Sequence, residues 1–211
     1  MTQPYRPRTA GAAAAVALCL MIMSFVACSD DKTAPTTTGP EGFTVVQDAK
    51  EGFAIAIPST WTLIPLSANP ATFDRDANAL RLKNKKLASI LNQARVLGQS
   101  GGLFMAVAED GVTSVNLTAD KAKEKTVEEI VTASIAALET VKATNIAQEP
   151  ATLAGKQAIK LSFKLGVETD NGVVPTDEVQ HYLLQSKKAY ILTVAAPKDV
   201  ASAIATSLRL R

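Results

Sequence analysis

The chain has 211 residues, 47% of them hydrophobic, with 22 basic side chains, 20 acidic ones and one histidine. That length and apolar content suit one packed domain with short appendages, and a net charge of +2 lacks the basic excess that nucleic-acid binding needs. Both cysteines, Cys19 and Cys28, fall near the start and His181 stands alone, so the rest of the chain can form no disulfide, thiolate metal site or two-imidazole zinc site.

Residues 1–27 read as a signal peptide. Arg6 and Arg8 come first, an apolar stretch runs from Ala10 to Ala27, and small residues precede Cys28. The string Ser24-Phe25-Val26-Ala27-Cys28 resembles the lipobox of bacterial lipoproteins, with Phe25 where leucine is usual. A membrane-spanning anchor would carry a basic flank behind the apolar run, and Ser29-Asp30-Asp31 follow instead. The resemblance implies a diacylglycerol with palmitate-type chains on the Cys28 sulfur. Such an anchor is stable because several chains insert, each buried methylene adding about 0.8 kcal/mol. It would place the protein on the extracytoplasmic face of the cell membrane. Cleavage before Cys28 removes two arginines and no acid, which brings the formal charge to zero.

Residues 28–41 then form the lipidated cysteine and a tether. The stretch is rich in Thr and Pro, has no apolar period and cannot bury surface. Fully extended, residues 29–41 would reach roughly 40 Å. Residues 42–211 are expected to make a single domain.

Two short strands open it. Phe43-Thr-Val-Val-Gln leads through Asp48–Gly52 to Phe53-Ala-Ile-Ala-Ile-Pro58, where Phe53, Ile55 and Ile57 mark one face. Trp61 follows the Ile-Pro turn, a position that suits core packing better than a ligand platform. The spacing of Leu80, Leu87, Ile90, Leu91, Ala94 and Leu97 predicts one helix over 77–98. Arg81, Lys83, Lys85 and Lys86 cluster on it, where they could meet anionic lipid or envelope polymer; the simpler reading is a solvated helix face. Gly98-Gln-Ser-Gly101-Gly102 follows a helix, so it reads as a C-cap and turn and not as a phosphate cradle. Strands are expected at 103–107 and 114–117. Thr126 and Glu129 have capping-box spacing ahead of a helix whose stripe is Ile130, Val131, Ile135, Leu138 and Val141.

The last third alternates clearly. Ile159, Leu161, Phe163 and Leu165 make a dry face against Lys160, Ser162 and Lys164. Asp170-Asn171-Gly172 supplies a hairpin turn, and Tyr190–Ala196 is apolar on both faces, as a central strand is. Pro197 opens a final helix with Val200, Ile204 and Leu208 on one side. Consecutive strands with short turns predict an antiparallel sheet with helices packed on it, an α+β fold. Phe53, Ile55, Ile57, Trp61, Phe163, Leu183, Leu192 and Val194 are expected to meet both C-terminal helices in one core.

Three motifs resemble one family. Gly52-Phe53-Ala-Ile-Ala-Ile-Pro58-Ser-Thr-Trp61 is similar to the opening of PsbP-like domains. Tyr190-Ile-Leu-Thr-Val-Ala-Ala and Ser207-Leu-Arg-Leu resemble their penultimate strand and their ending. LpqN-type lipoproteins of actinobacteria combine such a domain with a lipobox. The resemblance implies an α/β/α sandwich around an antiparallel sheet, no shared catalytic residues, and an accessory or binding role.

No Walker loop is present. Gly98-Gln99-Ser100-Gly101-Gly102 has G-x-S-x-G spacing but follows a helix where a nucleophile elbow follows a strand, and the S-x-x-K spacing of Ser29-Asp30-Asp31-Lys32 falls in the tether. His181, between Val179 and Leu183, reads as a sheet-face histidine in preference to a general base. The expectation is therefore a non-enzymatic envelope module with no cofactor and no catalytic or metal residues. Its partners would be membrane lipid through Cys28 and an envelope protein or glycolipid. The alternative is a lipid or glycolipid carrier with a cavity between sheet and helices. Substituting Cys28→Ala is expected to leave an unprocessed precursor that takes up no labelled fatty acid; normal labelling would remove the anchor from this reading.

Overall fold

Alternating side chains dictate a layered molecule, because a strand with one apolar face must cover it. The computed structural model describes residues 36–67, 69–122, 126–169 and 172–211. Residues 1–27, expected to be a signal peptide, and Cys28 and the turn residues Asp170 and Asn171 lie outside the described residues. Strands β1 (Phe43–Asp48), β2 (Phe53–Pro58) and β3 (Thr62–Leu63) come first, followed by helices α1 (Pro70–Lys83) and α2 (Ala88–Gln99). Strands β4 (Gly102–Val107) and β5 (Ser114–Lys121) lead to α3 (Val127–Thr140). Then come β6 (Thr144–Leu153), β7 (Lys156–Thr169), β8 (Gly172–Gln185), β9 (Lys188–Ala195), α4 (Lys198–Ser207) and β10 (Arg209–Leu210). The fold is α+β: an antiparallel sheet in the order β3-β4-β5-β9-β8-β7-β6, and a small sheet β1-β2-β10. Among the described residues, no helix is long and apolar enough to cross a membrane.

Cross-strand partners share a face, so the registers sort the side chains into two sets. One row runs Leu161, Gln180, Thr193, Asn116, Met105 across the large sheet. At one end of this face Leu161, Phe163 and Tyr182 pack with Val131 and Leu138 of α3. At the other end Met105 and Val107 pack with Phe73, Ile90 and Leu91 of α1 and α2. The opposite face carries the row Glu149, Lys160, His181, Leu192, Leu117, Phe104. Its apolar end meets Phe53, Ile55 and Ile57 of β2, Ala201 and Ile204 of α4, and Leu208 just past that helix, in the largest core. The Phe53 and Phe104 rings lie 6.0 Å apart at 54° there. As expected, β9 is the central strand, buried on one side and half-buried on the other.

Several expectations need correction. The single core divides into three clusters, because Phe163 sits one residue out of phase with Val179 and His181 and so faces α3, away from Leu183, Leu192 and Val194. The predicted 77–98 helix is two helices. Asn84 is extended (φ −147°, ψ 106°), its Oδ1 accepts from Lys86 N at 3.0 Å, and a 3-10 turn, Lys85–Leu87, intervenes. The start lies earlier because Asn69 caps Ala71 N and Thr72 N ahead of Pro70 at the first helical position. Val141 leaves the α3 stripe: the helix ends at Thr140, Lys142 takes a φ of 60°, and Val141 is 57% exposed. The Thr126–Glu129 capping box is formed. Strand β6 carried no alternation, since it is an edge strand with mostly exposed residues and Pro150 in its middle. Residues 36–41 hold no helix or strand, yet Thr37 Oγ1 donates to Ser207 O at 2.6 Å, so packing begins ahead of Gly42.

One buried hydroxyl ties the small sheet to α4. Ser207 Oγ accepts from Ala56 N at 2.9 Å and donates to Ile204 O at 2.7 Å. It takes the place of a strand partner, because β10 pairs only with Phe53 and Ala54.

Truncating Phe163→Ala is expected to cost about 3–5 kcal/mol in urea melts. Lys164→Ala, which breaks only the exposed pair with Asp177, is expected to change stability by about 0.5 kcal/mol or less. A larger loss from the lysine would overturn the strand register.

Candidate binding cleft

A cleft forms where the covering layer stops. After Ala195 the chain leaves the sheet through Pro197 into α4, while β8 continues beside β7 toward Gly172. The β7–β8 ribbon beyond Glu178 therefore overhangs, without β9 beside it. A cavity of about 1020 Å³ lies under this ribbon. Its floor is the sheet face bearing Glu149, Lys160, Ser162, Val179 and His181. Ala201 and Ala205 of α4 form one wall, and Asp110, Val112 and Thr113 of the β4–β5 loop line it at one end.

Register explains the polar floor. Lys160 stands opposite Glu149 on one side and His181 on the other. The Lys160 ammonium pairs with the Glu149 carboxylate, and Lys164 Nζ pairs with Asp177 Oδ1 at 2.7 Å. The Lys160 hydrogen bond holds the Glu149 carboxyl below its usual range, with a smaller contribution from the Lys198 charge. Like the Lys164–Asp177 pair, it is too exposed to stabilise the fold much. Its consequence is local: the floor presents both signs of charge with little net charge.

His181 is 7% exposed, and its buried Nδ1 makes no hydrogen bond among the described residues. Burial lowers its pKa to about 4; the Lys160 charge adds to this and the Glu149 charge opposes it. The imidazole is thus neutral at physiological pH. Glu178, which also lines the cavity but points to the other sheet face, is pushed up to about 7 by burial.

The other sequence candidates lie elsewhere. Arg81, Lys83, Lys85 and Lys86 are exposed at the end of α1 and in the following 3-10 turn. Trp61 is half-buried against the largest core. Gly98 permits close approach of α2 to the chain at Ser67, where a Cβ would lie 2.9 Å from a carbonyl oxygen. Among the described residues, no three His, Cys, Asp or Glu side chains converge as a metal site would require. Sequence reasoning placed His181 and Lys160 on strands but did not bring them together. It missed Glu149 altogether, since β6 showed no pattern. Pairing the alternating 159–165 strand with the 178–185 strand would have set Lys160 beside His181.

The chain is similar to the solution structure of cyanobacterial PsbP (CyanoP) from Synechocystis sp. PCC 6803. Identity is 12% and the TM-score 0.47, over 85% of this chain and 98% of that one. It is also similar to the crystal structure of LpqN, involved in cell envelope biogenesis of Mycobacterium tuberculosis. There identity is 11% and the TM-score 0.41, over 75% of this chain and 82% of that one. These are the two kinds of protein that the sequence motifs resemble. No protein-family model matches the chain, and no curated protein does.

The two perturbed groups give a pH signature of opposite signs. His181 has a folded pKa near 4, below its ordinary 6.5, so the unfolded chain gains the proton first and stability is lost as pH falls from about 6.5 to 4. Glu178 has a folded pKa near 7, above 4.5, so the unfolded chain ionises first and stability is lost as pH rises from about 4.5 to 7. The two slopes offset each other over their shared window. His181→Gln is expected to leave stability falling with rising pH relative to wild type, and Glu178→Gln to leave it falling with acid. Urea melts across that window check this, and parallel profiles for the two variants would contradict it.

Proposed function

We propose that this chain is a lipid-anchored, extracytoplasmic module that binds an envelope partner non-enzymatically in the cleft beneath the β7–β8 ribbon. The observation that carries the reading is the cleft floor. It combines the Glu149–Lys160 pair, Ser162 and the His181 imidazole with apolar Val179, Ala201 and Ala205. Such a surface offers donors, acceptors and apolar contacts together, which suits a polar or amphipathic ligand. A ribbon edge without a neighbour adds backbone groups that an extended segment can pair with.

A carrier of acyl chains fits less well. The space between the sheet and α1–α3 is occupied at both ends by packed apolar clusters, and the open cleft lies on the other face. Charged residues on its floor would have to lose water against hydrocarbon, which is costly. Chemistry is not favoured either. His181 is neutral, but no carboxylate bonds its Nδ1 to orient the ring as a general base requires. The anchor follows from the Cys28 motif.

A photocrosslinking residue placed at Ser162 in the native envelope is expected to give a discrete adduct, and one at exposed Val96 is not. Mass spectrometry of the adduct identifies the partner class. Equal labelling from both positions would sink the cleft as the binding site. Stoichiometric lipid co-purified with the protein would favour the carrier instead.

A further inference from the structure

The sequence Arg81-Leu82-Lys83-Asn84-Lys85-Lys86 forms the corner between α1 and α2. Leu82 is 88% exposed, the most exposed large apolar side chain among the described residues, and Arg81, Lys83, Lys85 and Lys86 are exposed around it. From Ala77 to Ala108 the chain contains no acidic residue. The acids of α1 are engaged: Asp76 bonds Arg75, and Asp74 bonds Arg95. Asp110 accepts from Val112 N, Thr113 N and Thr113 Oγ1, at 2.9, 2.8 and 2.6 Å, and lies near Lys86. Glu109 is exposed, and its carbonyl accepts from Asn84 Nδ2 at 3.0 Å.

We infer that this corner docks on an anionic lipid bilayer, with Leu82 inserted among the acyl chains and Arg81, Lys83 and Lys85 at the headgroups. One exposed leucine alone needs no explanation. Ringed by cations, it has the composition of a membrane-interface contact. A single protruding side chain cannot supply the roughly 1,000 Å² that a stable protein interface buries. A fluid bilayer accepts such a protrusion without matching its shape.

Docking here would also orient the cleft. The β4–β5 loop packs directly on the corner: a Cβ at Gly111 would lie 2.3 Å from Lys86 O. The other side of that loop, through Asp110, Val112 and Thr113, lines the cleft. Docking would therefore bring that end of the cleft close to the membrane surface. The docking rests on the patch alone; only this consequence rests on the proposed function.

Residues 32–211 contain all three apolar clusters and no cysteine, so Leu82→Cys provides a unique site for an environment-sensitive fluorophore. This fragment is mixed with vesicles of phosphatidylcholine alone or with phosphatidylglycerol added. Co-sedimentation and a blue-shifted Leu82→Cys label are expected on the anionic vesicles only, both reversed by salt. Lys83→Gln and Lys85→Gln should each weaken partitioning about fivefold, as expected for one basic charge near such a surface. Leu82→Ala should weaken it about tenfold through lost apolar burial. Absence of binding at low salt, or equal binding to both vesicle types, overturns the proposal. So does a shift of a label at Val173→Cys on the ribbon with none at Leu82→Cys. Because the fragment lacks Cys28, a failure here is independent of fatty-acid labelling at that residue.

Discussion

The register between β8 and β9 is the constraint on which the other features depend. Pairing Val179 with Val194 and His181 with Leu192 sends Leu183, Leu192 and Val194 to the side of β2 and α4. The alternate residues, with Tyr182 among them, go to the helices on the opposite face. A slip of one residue would exchange these sets and leave both covering layers without apolar partners. The central strand turns Tyr190, Leu192 and Val194 into the largest core, and its other face, with Ile191 and Thr193, is half-buried between the helix clusters. Helix stripes, the small sheet and Ser207 all adapt to this division.

The cleft follows from the same register at the point where coverage ends. The row that begins as Phe104, Leu117 and Leu192 under β2 continues as His181, Lys160 and Glu149, past the reach of the small sheet. Polarity along the row tracks the loss of cover. His181 stands at the boundary, buried enough to stay neutral but still lining the cavity. A side chain in that position has lost water without gaining a full set of protein hydrogen bonds, which costs stability.

The β4–β5 loop joins two surface features that no sequence pattern connects. Asp110 rigidifies it by accepting three hydrogen bonds from Val112 and Thr113. One side of the loop packs on the Asn84–Lys86 turn, and the other borders the cleft. The break in the predicted long helix is thus part of this arrangement. If the helix ran straight through Asn84, the basic corner would not fold back against the loop.

Local chemistry was legible wherever a residue type has a local consequence. The α+β class, the central Tyr190–Ala196 strand, the Thr126–Glu129 box and the Pro197 helix start were all readable, because periodicity and capping involve neighbours in sequence. Asn69-Pro70 was an equally local signal that went unused. Strand β6 was hidden because an edge strand, exposed over most of its length, needs no alternation to survive. The sequence by itself determined most of the residues that are buried, several element starts, and an apolar run ahead of Cys28. Only tertiary structure decided which face each strand turns to which layer, and so which charges meet in the cleft. Partners such as Glu149, Lys160 and His181 lie 11 and 21 positions apart along the chain, and hydrogen-bond register between strands, not local preference, brings them together.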